Sequence, residues 1–156
     1  MIEIMIPGRE APLCIKAVAL DYNGTIARDG MLLPEAAERI QKLTEKVEVY
    51  VLTADTYGTV QQQCAGLGVT IKPFPHAGAA LCKEEIVCDL GEGVCAVGNG
   101  FNDIQMFDLA ALSIAVLEKE GMCAALLPHA DVLVTSPADA LDLLLKPDRL
   151  RATLRN

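Results

Sequence analysis

The sequence predicts an α/β fold in which a mostly parallel sheet carries helices on both faces, a three-layer Rossmann-like architecture. Short β-branched apolar runs alternate along the chain with longer segments of helical pattern, as in repeated strand–helix units. Apolar residues make up 52% of the 156 residues but aromatic residues only 4%, so Ala, Val, Leu and Ile must fill the interior. That composition suits strands that are buried on both sides.

The elements follow this alternation in order. The predicted strands are Ile15–Leu20, Val47–Leu52, Val69–Lys72, Val94–Val97, Ser113–Leu117 and Asp131–Thr135. The predicted helices are Pro34–Thr44, Thr56–Leu67, Ala79–Leu90, Ile104–Ala111, Glu120–Leu127 and Pro137–Lys146. Pro34 and Pro137 suit the first turn of a helix, where the missing N–H costs nothing.

Both ends of the chain carry short additional segments. The run "IEIMI" before Pro7 and Gly8 predicts an early strand at the sheet edge or paired outside the main sheet. The basic tail "KPDRLRATLRN" predicts a solvated last helix or a frayed end.

Length and charge restrict the class of protein. A chain of this size, with no linker, repeat or low-complexity segment, predicts a single domain over 1–156. The net charge of −8 argues against nucleic acid and anionic membranes as partners, since both require a basic face. The start of the chain lacks the pattern of a signal peptide and no run reaches ~18 apolar residues, so we expect a cytoplasmic protein.

The cysteines form no C-x-x-C pair and most lie in apolar stretches, which favours buried reduced thiols over a metal cluster or a disulfide frame. They are Cys14, Cys64, Cys82, Cys88, Cys95 and Cys123.

Polar residues follow three of the predicted strands directly, at the edge where parallel sheets collect ligands. The first set, "DYNGT", begins with Asp21 and is either a carboxylate at a strand mouth or the start of a turn, since Asn-Gly is a hairpin signal. The segment "TIARDGML" after it does not continue as a good antiparallel partner, which weakens the turn interpretation.

The second and third sets each have a structural alternative. "TAD" from Thr53 to Asp55 brings a hydroxyl and a carboxylate to the start of a helix, where an N-cap would also place them. "GNGFND" brings Asn99, Asn102 and Asp103 into a glycine-bearing loop, which approaches a phosphate or metal or is a plain connector. It does not match G-x-G-x-x-G, so no dinucleotide cofactor is expected.

Together the three sets resemble the haloacid dehalogenase (HAD) superfamily, a capless member in particular. The nearer likeness is to the phosphorylation domain of P-type ATPases, whose "DKTGT", "LTGD" and "GDGxND" parallel "DYNGT", "LTAD" and "GNGFND" in this chain. The likeness extends from Ile15 to about Leu145 and includes "HADVLVTSPADALDLL".

The resemblance implies a phosphoryl-transfer site. Asp21 would be the nucleophile that forms an aspartyl-phosphate, and Thr53 would hydrogen-bond a phosphoryl oxygen. Lys83 fits the spacing of the family's lysine, with Lys72 as the alternative. The catalytic set is then Asp21, Thr53 and Lys83, and the phosphate would be bound by Asp21, Asn23, Gly24, Thr53, Ala54 and Lys83.

The resemblance also implies a metal ion, because transfer between oxyanions requires charge neutralisation. Mg²⁺ prefers a few carboxylates together with waters and a phosphate oxygen. The implied ligands are Asp21, the backbone carbonyl of Asn23, Asn99 and Asp103.

Two amides stand where the family usually has acids. Asn23 replaces the aspartate that protonates the leaving group, which predicts slow turnover and a longer-lived phospho-aspartate. Asn99 replaces an aspartate of the metal loop, which predicts weaker Mg²⁺ binding.

The spacing of the motifs excludes further modules. About thirty residues separate Asp21 from Thr53, which leaves no room for a nucleotide-binding domain, so ATP hydrolysis and ion pumping are not expected. No cap domain fits between Thr53 and Lys83 either, and by analogy a second subunit would cover the open site in a homo-oligomer. His76 is a candidate for the rim of that site, whereas His129 is expected to cap or pack.

The function predicted is a slow Mg²⁺-dependent phosphoric monoester hydrolase acting on a phosphorylated substrate. The alternative is a catalytically degenerate regulatory or phosphate-binding protein that keeps the cradle without turnover. A phosphate-receiver switch fits less well, because receivers require an acidic pair at an earlier strand end.

Overall fold

Six parallel strands form the central sheet of the protein, for which a computed structural model describes residues 1–55 and 58–156. The strands are β3 (Ala17–Asp21), β6 (Glu48–Thr53), β7 (Thr70–Pro73), β8 (Val94–Gly98), β9 (Leu112–Val116) and β10 (Val132–Val134). Their order in the sheet is β10-β9-β8-β3-β6-β7, and every neighbouring pair is parallel. The predicted α/β class is confirmed.

Helices cover both faces of this sheet. The helices are α1 (Pro34–Thr44), α2 (Thr59–Gln63), α3 (Ala79–Leu90), α4 (Ile104–Leu109), α5 (Pro137–Leu145) and α6 (Pro147–Leu154). The buried side chains of α1, α2, α5 and α6 pack on one face of the sheet, and those of α3 and α4 pack on the other. Successive side chains of β3 point to opposite faces of the sheet, as strand geometry requires. Val18 and Leu20 pack in the core on one face, and Ala17 and Ala19 pack in the core on the other.

Two helices begin as predicted. Pro34 and Pro137 both stand in the first turn of their helices, α1 and α5. Before Pro137, the Ser136 hydroxyl accepts a hydrogen bond from the Asp139 amide at 3.0 Å and caps α5.

The N-terminal segment differs in its boundaries from the prediction. Ile2–Ile4 (β1) pairs antiparallel with Leu13–Ile15 (β2), outside the central sheet. The predicted strand Ile15–Leu20 is therefore two strands: Ile15 belongs to β2, and the central strand begins at Ala17. The break falls at Lys16, whose amide donates to the Gly93 carbonyl instead of to a neighbouring strand.

A second hairpin, which the sequence analysis missed, follows β3. Ala27–Arg28 (β4) and Met31–Leu32 (β5) are antiparallel and turn at Asp29 and Gly30, both with positive φ. Asp29-Gly30 is an Asp-Gly hairpin signal, six positions after the Asn-Gly pair of the first motif.

Two predicted helices are shorter than expected. The segment Glu120–Leu127 was expected to be helical, but only a 3-10 helix over Ala124–His129 forms there. The preceding loop is drawn toward the metal-loop motif, because the Cys123 amide donates to the Asn99 carbonyl at 2.8 Å. For the helix expected over Thr56–Leu67, the observed α2 ends at Gln63, before Gly66 and Gly68, while Thr56 and Tyr57 lie outside the described residues.

The remaining predictions have mixed outcomes. The tail forms α6, and its Leu150 is fully buried, so this end is packed and not frayed. All six cysteines are free, but only Cys64 and Cys95 are fully buried and Cys88 is exposed. In the described parts of the chain, no helix has the length and apolarity that a membrane span requires.

Candidate active site

The carboxyl ends of β3 and β6, the loop after β8 and helix α3 meet around one cavity of about 350 Å³. Asp21 is the last residue of β3 and Thr53 the last of β6, and α3 brings Lys83 to the same space. The lining residues are Asp21, Asn23, Leu52, Thr53, Ala54, Phe74, His76, Ala79, Lys83, Asn99, Gly100, Phe101 and Asn102. The three predicted catalytic residues therefore share a cavity.

Asp21 is held by two hydrogen bonds and is almost fully buried, with 7% of its surface exposed. Its Oδ1 lies 2.7 Å from the Lys83 Nζ, and its Oδ2 accepts from the Thr25 hydroxyl at 2.8 Å. Burial, reinforced by the nearby negative charge of Asp103, raises the pKa of Asp21 to about 7 despite the attraction of Lys83. Its two hydrogen bonds orient the Asp21 side chain, and a neighbouring positive charge stabilises its ionised form.

Lys83 is a buried ammonium shared by three oxygens. Its Nζ lies 2.7 Å from Asp21 Oδ1, 2.6 Å from Asp103 Oδ1 and 2.9 Å from Asn102 Oδ1. Burial by itself would lower the pKa of Lys83, but the two carboxylates outweigh it and the pKa is raised, so the side chain stays charged. The alternative Lys72 lies over the Tyr50 ring, 5.8 Å from its centroid, and is absent from the cavity lining given above.

Asp103 organises the loop behind the cavity. Its Oδ2 accepts hydrogen bonds from the backbone amides of Asn99 (3.0 Å) and Gly100 (2.9 Å), and its Oδ1 bonds Lys83. A Cβ at Gly98 would collide with this carboxylate, which explains a glycine at the end of β8. Asp103 is fully buried and is not among the residues that line the cavity, and its role as a metal ligand stays a prediction.

Thr25 connects the first motif with the third, a contact that the sequence analysis did not identify. Its Oγ1 lies within hydrogen-bond distance of Asp21 Oδ2 (2.8 Å) and Asn99 Oδ1 (3.1 Å), and its single proton serves one of them at a time. The signal that could have found it is its place as the final residue of "DYNGT".

Both ends of the Asn99 side-chain amide have a hydrogen-bond partner. Its Nδ2 donates to the Gly121 carbonyl at 3.0 Å while its Oδ1 faces Thr25. Gly24, with φ of +77°, passes so close that a Cβ there would collide with the Asn99 amide. Gly24 thus serves close backbone approach and is not among the residues that line the cavity.

Thr53 and Asp55 divide the roles that the second motif left open. The Thr53 hydroxyl accepts a hydrogen bond from the Asp55 amide at 3.0 Å, and this bond does not use the hydroxyl's own proton, which can be donated elsewhere. The Asp55 carboxylate accepts from the Val60 amide at 2.8 Å near the start of α2, so the cap-like contact belongs to Asp55.

The donor set suits a hard cation but is sparse. Among residues 1–55 and 58–156, no three His, Cys, Asp or Glu side chains form a group that could hold a metal. Asp21, Asn23 and Asn99 all line the cavity, and carboxylate, carbonyl and amide oxygens are the kind of ligand that Mg²⁺ takes together with waters.

Loop 118–121 contacts the β4–β5 hairpin through two polar side chains. Arg28 pairs with the Glu118 carboxylate, and the Asp29 amide donates to Glu120 Oε2 at 3.1 Å. Because the same loop supplies the Gly121 carbonyl to Asn99, the hairpin and the third motif are held by one segment.

The two histidines lie in different surroundings. His76 is exposed and lines the cavity together with Asp21. The His129 Nδ1 lies 2.6 Å from Asp108 Oδ1 and is absent from that lining.

Two archaeal proteins are similar to the chain in sequence, while no protein-family model matches it. The uncharacterized protein MJ0073 of Methanocaldococcus jannaschii is 41% identical over 63 residues, which cover 40% of this chain and 68% of that protein. The uncharacterized protein MJ0072 of the same organism is 49% identical over 39 residues, which cover 25% of this chain and 89% of that protein.

Solved structures show the fold. The magnesium, phosphate and KDO complex of 3-deoxy-D-manno-octulosonate 8-phosphate phosphatase from Moraxella catarrhalis matches with a TM-score of 0.70 and 17% identity, covering 90% of this chain and 94% of that chain. A Streptomyces avermitilis protein ascribed to the HAD hydrolase family matches with a TM-score of 0.66 and 19% identity, covering 88% and 84%. At these identities the likeness establishes a capless HAD-like fold, and the nearer likeness to P-type ATPases stays a prediction from the motifs.

Proposed function

We propose that this chain, which belongs to the same family as the two Methanocaldococcus jannaschii proteins and has the HAD-like fold, is a phosphoric monoester hydrolase acting through Asp21. The observation that carries the proposal is the 2.7 Å contact of Lys83 Nζ with Asp21 Oδ1, inside the cavity that Thr53 also lines. A buried carboxylate fixed beside a buried ammonium at a strand end is suited to attack an electrophile bound in front of it.

The reaction proceeds in two displacements. An Asp21 oxygen forms a bond to phosphorus as the ester P–O bond breaks, and the leaving oxygen keeps the electron pair and takes a proton from water. Water then attacks the aspartyl-phosphate, releasing inorganic phosphate and restoring Asp21. Thr53 donates to a phosphoryl oxygen, and a phosphoryl oxygen reaches Lys83 by replacing Asn102, its neutral partner.

The charges at the site support a divalent cation, for which Mg²⁺ is our proposal. When both carboxylates are ionised, Asp21 and Asp103 place two negative charges against the single positive charge of Lys83, and these three groups alone then repel a phosphate dianion. Asp21, the Asn23 carbonyl and Asn99 would hold the ion, with Asp103 holding the loop behind them. When bound, the ion supplies charge neutralisation to the phosphoryl group.

Turnover is slow in this proposal, because the exposed side-chain amide of Asn23 can neither protonate the leaving group nor take a proton from water. The phospho-aspartate should therefore have a longer lifetime than the intermediate of a phosphatase that carries the acid, as the resemblance to the P-type ATPase motifs implies. We also propose that a second copy of the chain covers the open cavity.

The test is Mg²⁺-dependent phosphate release from a panel of phosphate esters. Asp21→Asn should abolish release, while Asp89→Asn, an exposed carboxylate on α3, should leave it unchanged. Equal release by Asp21→Asn would overturn the proposal. Tight phosphate binding without release, unaffected by Asp21→Asn, would support the non-catalytic binding protein instead.

A further inference from the structure

An aromatic ring stands exposed at the mouth of the candidate active site. Phe101 lines the cavity that holds Asp21, yet 69% of its surface is exposed. Its position is fixed by the backbone, since Asp103 Oδ2 accepts from the Gly100 amide at 2.9 Å and the Asp103 amide donates to the Gly100 carbonyl at 3.1 Å. The ring is therefore presented by a braced turn.

Part of the cavity lining is apolar. Leu52, Ala54, Phe74 and Ala79 line the cavity together with Phe101. Phe74 is buried, and its ring centroid lies 5.5 Å from the Lys83 Nζ, so the ammonium has an aromatic face on one side. The part of a substrate beyond its phosphate would thus meet carbon surface.

The cavity offers little positive charge to a second anionic group. Lys83 is the single lysine or arginine among the described residues that line it, and its three protons already serve Asp21, Asn102 and Asp103. The chain as a whole carries a net charge of −8. A carboxylate or second phosphate on the substrate would be desolvated there without a counter-charge.

From this juxtaposition, and resting on the proposed function, we infer that the site takes monophosphate esters of neutral, ring-bearing alcohols, with Phe101 as the residue that selects the ring. Flat rings pack against an aromatic side chain in offset or edge-to-face geometry. Esters that carry a second anion are disfavoured.

The test compares benzyl phosphate with ethyl phosphate, since both release alkoxides of similar basicity. We expect kcat/KM for benzyl phosphate to exceed that for ethyl phosphate by about tenfold, the scale of an aromatic pair with its buried area. Phosphoglycolate, which has a second anion, should be the poorest of the three. In Phe101→Ala the benzyl-to-ethyl ratio should fall toward one, and in Phe101→Tyr it should persist.

The matched control is Leu109→Ala, which removes another half-exposed apolar side chain at 50% exposure, absent from the cavity lining. Its ratio should equal that of the unaltered chain. A ratio near one in the unaltered chain, or the same ratio in Phe101→Ala, overturns the inference. So does a Phe101→Ala variant whose solution mass changes while its ratio does not, because Phe101 would then be a contact between copies.

A readout without turnover separates this inference from the proposed function. Benzylphosphonate and ethylphosphonate cannot be hydrolysed, and calorimetry in the presence of Mg²⁺ measures their affinities directly. A benzyl preference that Phe101→Ala removes supports the inference even if no ester is cleaved. Phosphate release without such a preference leaves the proposed function in place and rejects the inference.

Discussion

At the scale of single residues, Asn23 limits the proposed chemistry. It is exposed at the cavity two positions after Asp21, where the resemblance implies an acid. Asn23→Asp should raise phosphate release by about ten- to a thousandfold, which overlaps the lower part of the roughly hundred- to ten-thousandfold range of general acid–base catalysis. The measurement is kcat on the most rapidly cleaved ester of the panel.

Asn23→Ala serves as the control for this change, since it removes the amide without adding an acid and should not accelerate release. Circular dichroism and thermal melting show whether each variant is folded. A folded, Mg²⁺-binding Asn23→Asp protein that is no faster would contradict the assignment of Asn23 as the limiting residue.

At the scale of elements, Asp142 on α5 joins three helices of one layer. It is 6% exposed, and its carboxylate accepts from Arg39 Nε on α1 at 3.0 Å and from Lys146 Nζ at 3.2 Å, at the junction with α6. Burial by itself would raise the pKa of Asp142, but the bonds from Arg39 and Lys146 prevail and lower it. The folded state therefore binds this proton more weakly than the unfolded chain does.

The resulting stability has a defined pH range. Because the pKa is lower in the folded state, the contribution is fully present above the ordinary aspartate value of 3.8 and is lost as pH falls through the folded pKa. Asp142→Asn should lower the free energy of unfolding by about 2 kcal/mol at pH 7, as expected for hydrogen bonds to a charged group.

Urea unfolding at pH 7 and at pH 3 measures this difference, which should shrink at the lower pH. Asp148→Asn is the matched control, since its side chain is 88% exposed and its pair with Arg151 lies on the surface. The same loss of stability at both pH values would show that Asp142 acts through packing and not through its charge.

At the scale of the whole molecule, the melting temperature reports on the proposed metal site, since a ligand that binds only the folded chain stabilises it. Asn99→Asp adds the carboxylate that the resemblance leads one to expect, but it sets an oxygen against the Gly121 carbonyl in place of a donor. Without metal the variant should therefore melt lower than the unaltered chain.

Mg²⁺ should reverse that order. The added charge should strengthen binding about tenfold, which corresponds to a Mg²⁺-induced rise in melting temperature roughly 3–5 °C larger than that of the unaltered chain. Melting with Mg²⁺ and with a chelator measures both effects, and Asp21→Asn, which loses the central ligand, should lose the rise. An equal rise in Asn99→Asp and the unaltered chain would count against Asn99 as a ligand.

The sequence by itself determined the alternation of strands and helices, because buried parallel strands read as short continuous apolar runs and their covering helices as patterns of period 3.6. It also identified Asp21 and Thr53 as residues of one site, since residues after parallel strands meet at one edge. Lys83 lies inside α3 and was identified only through the spacing that the family resemblance implies. Their catalytic roles stay predictions. The Asp29-Gly30 hairpin also has a local sequence signal, the Asp-Gly pair, although the sequence analysis did not predict it.

Only the tertiary structure decided the contacts between segments far apart in the chain. The Thr25–Asn99 contact joins residues 74 positions apart, and Asp103 turns its carboxylate to Lys83 and two loop amides instead of to the cavity. The segment 120–127 lost its predicted helix because the Asn99 loop binds its backbone. Local propensity cannot encode such outcomes, since each depends on which hydrogen-bond partner the rest of the fold brings near.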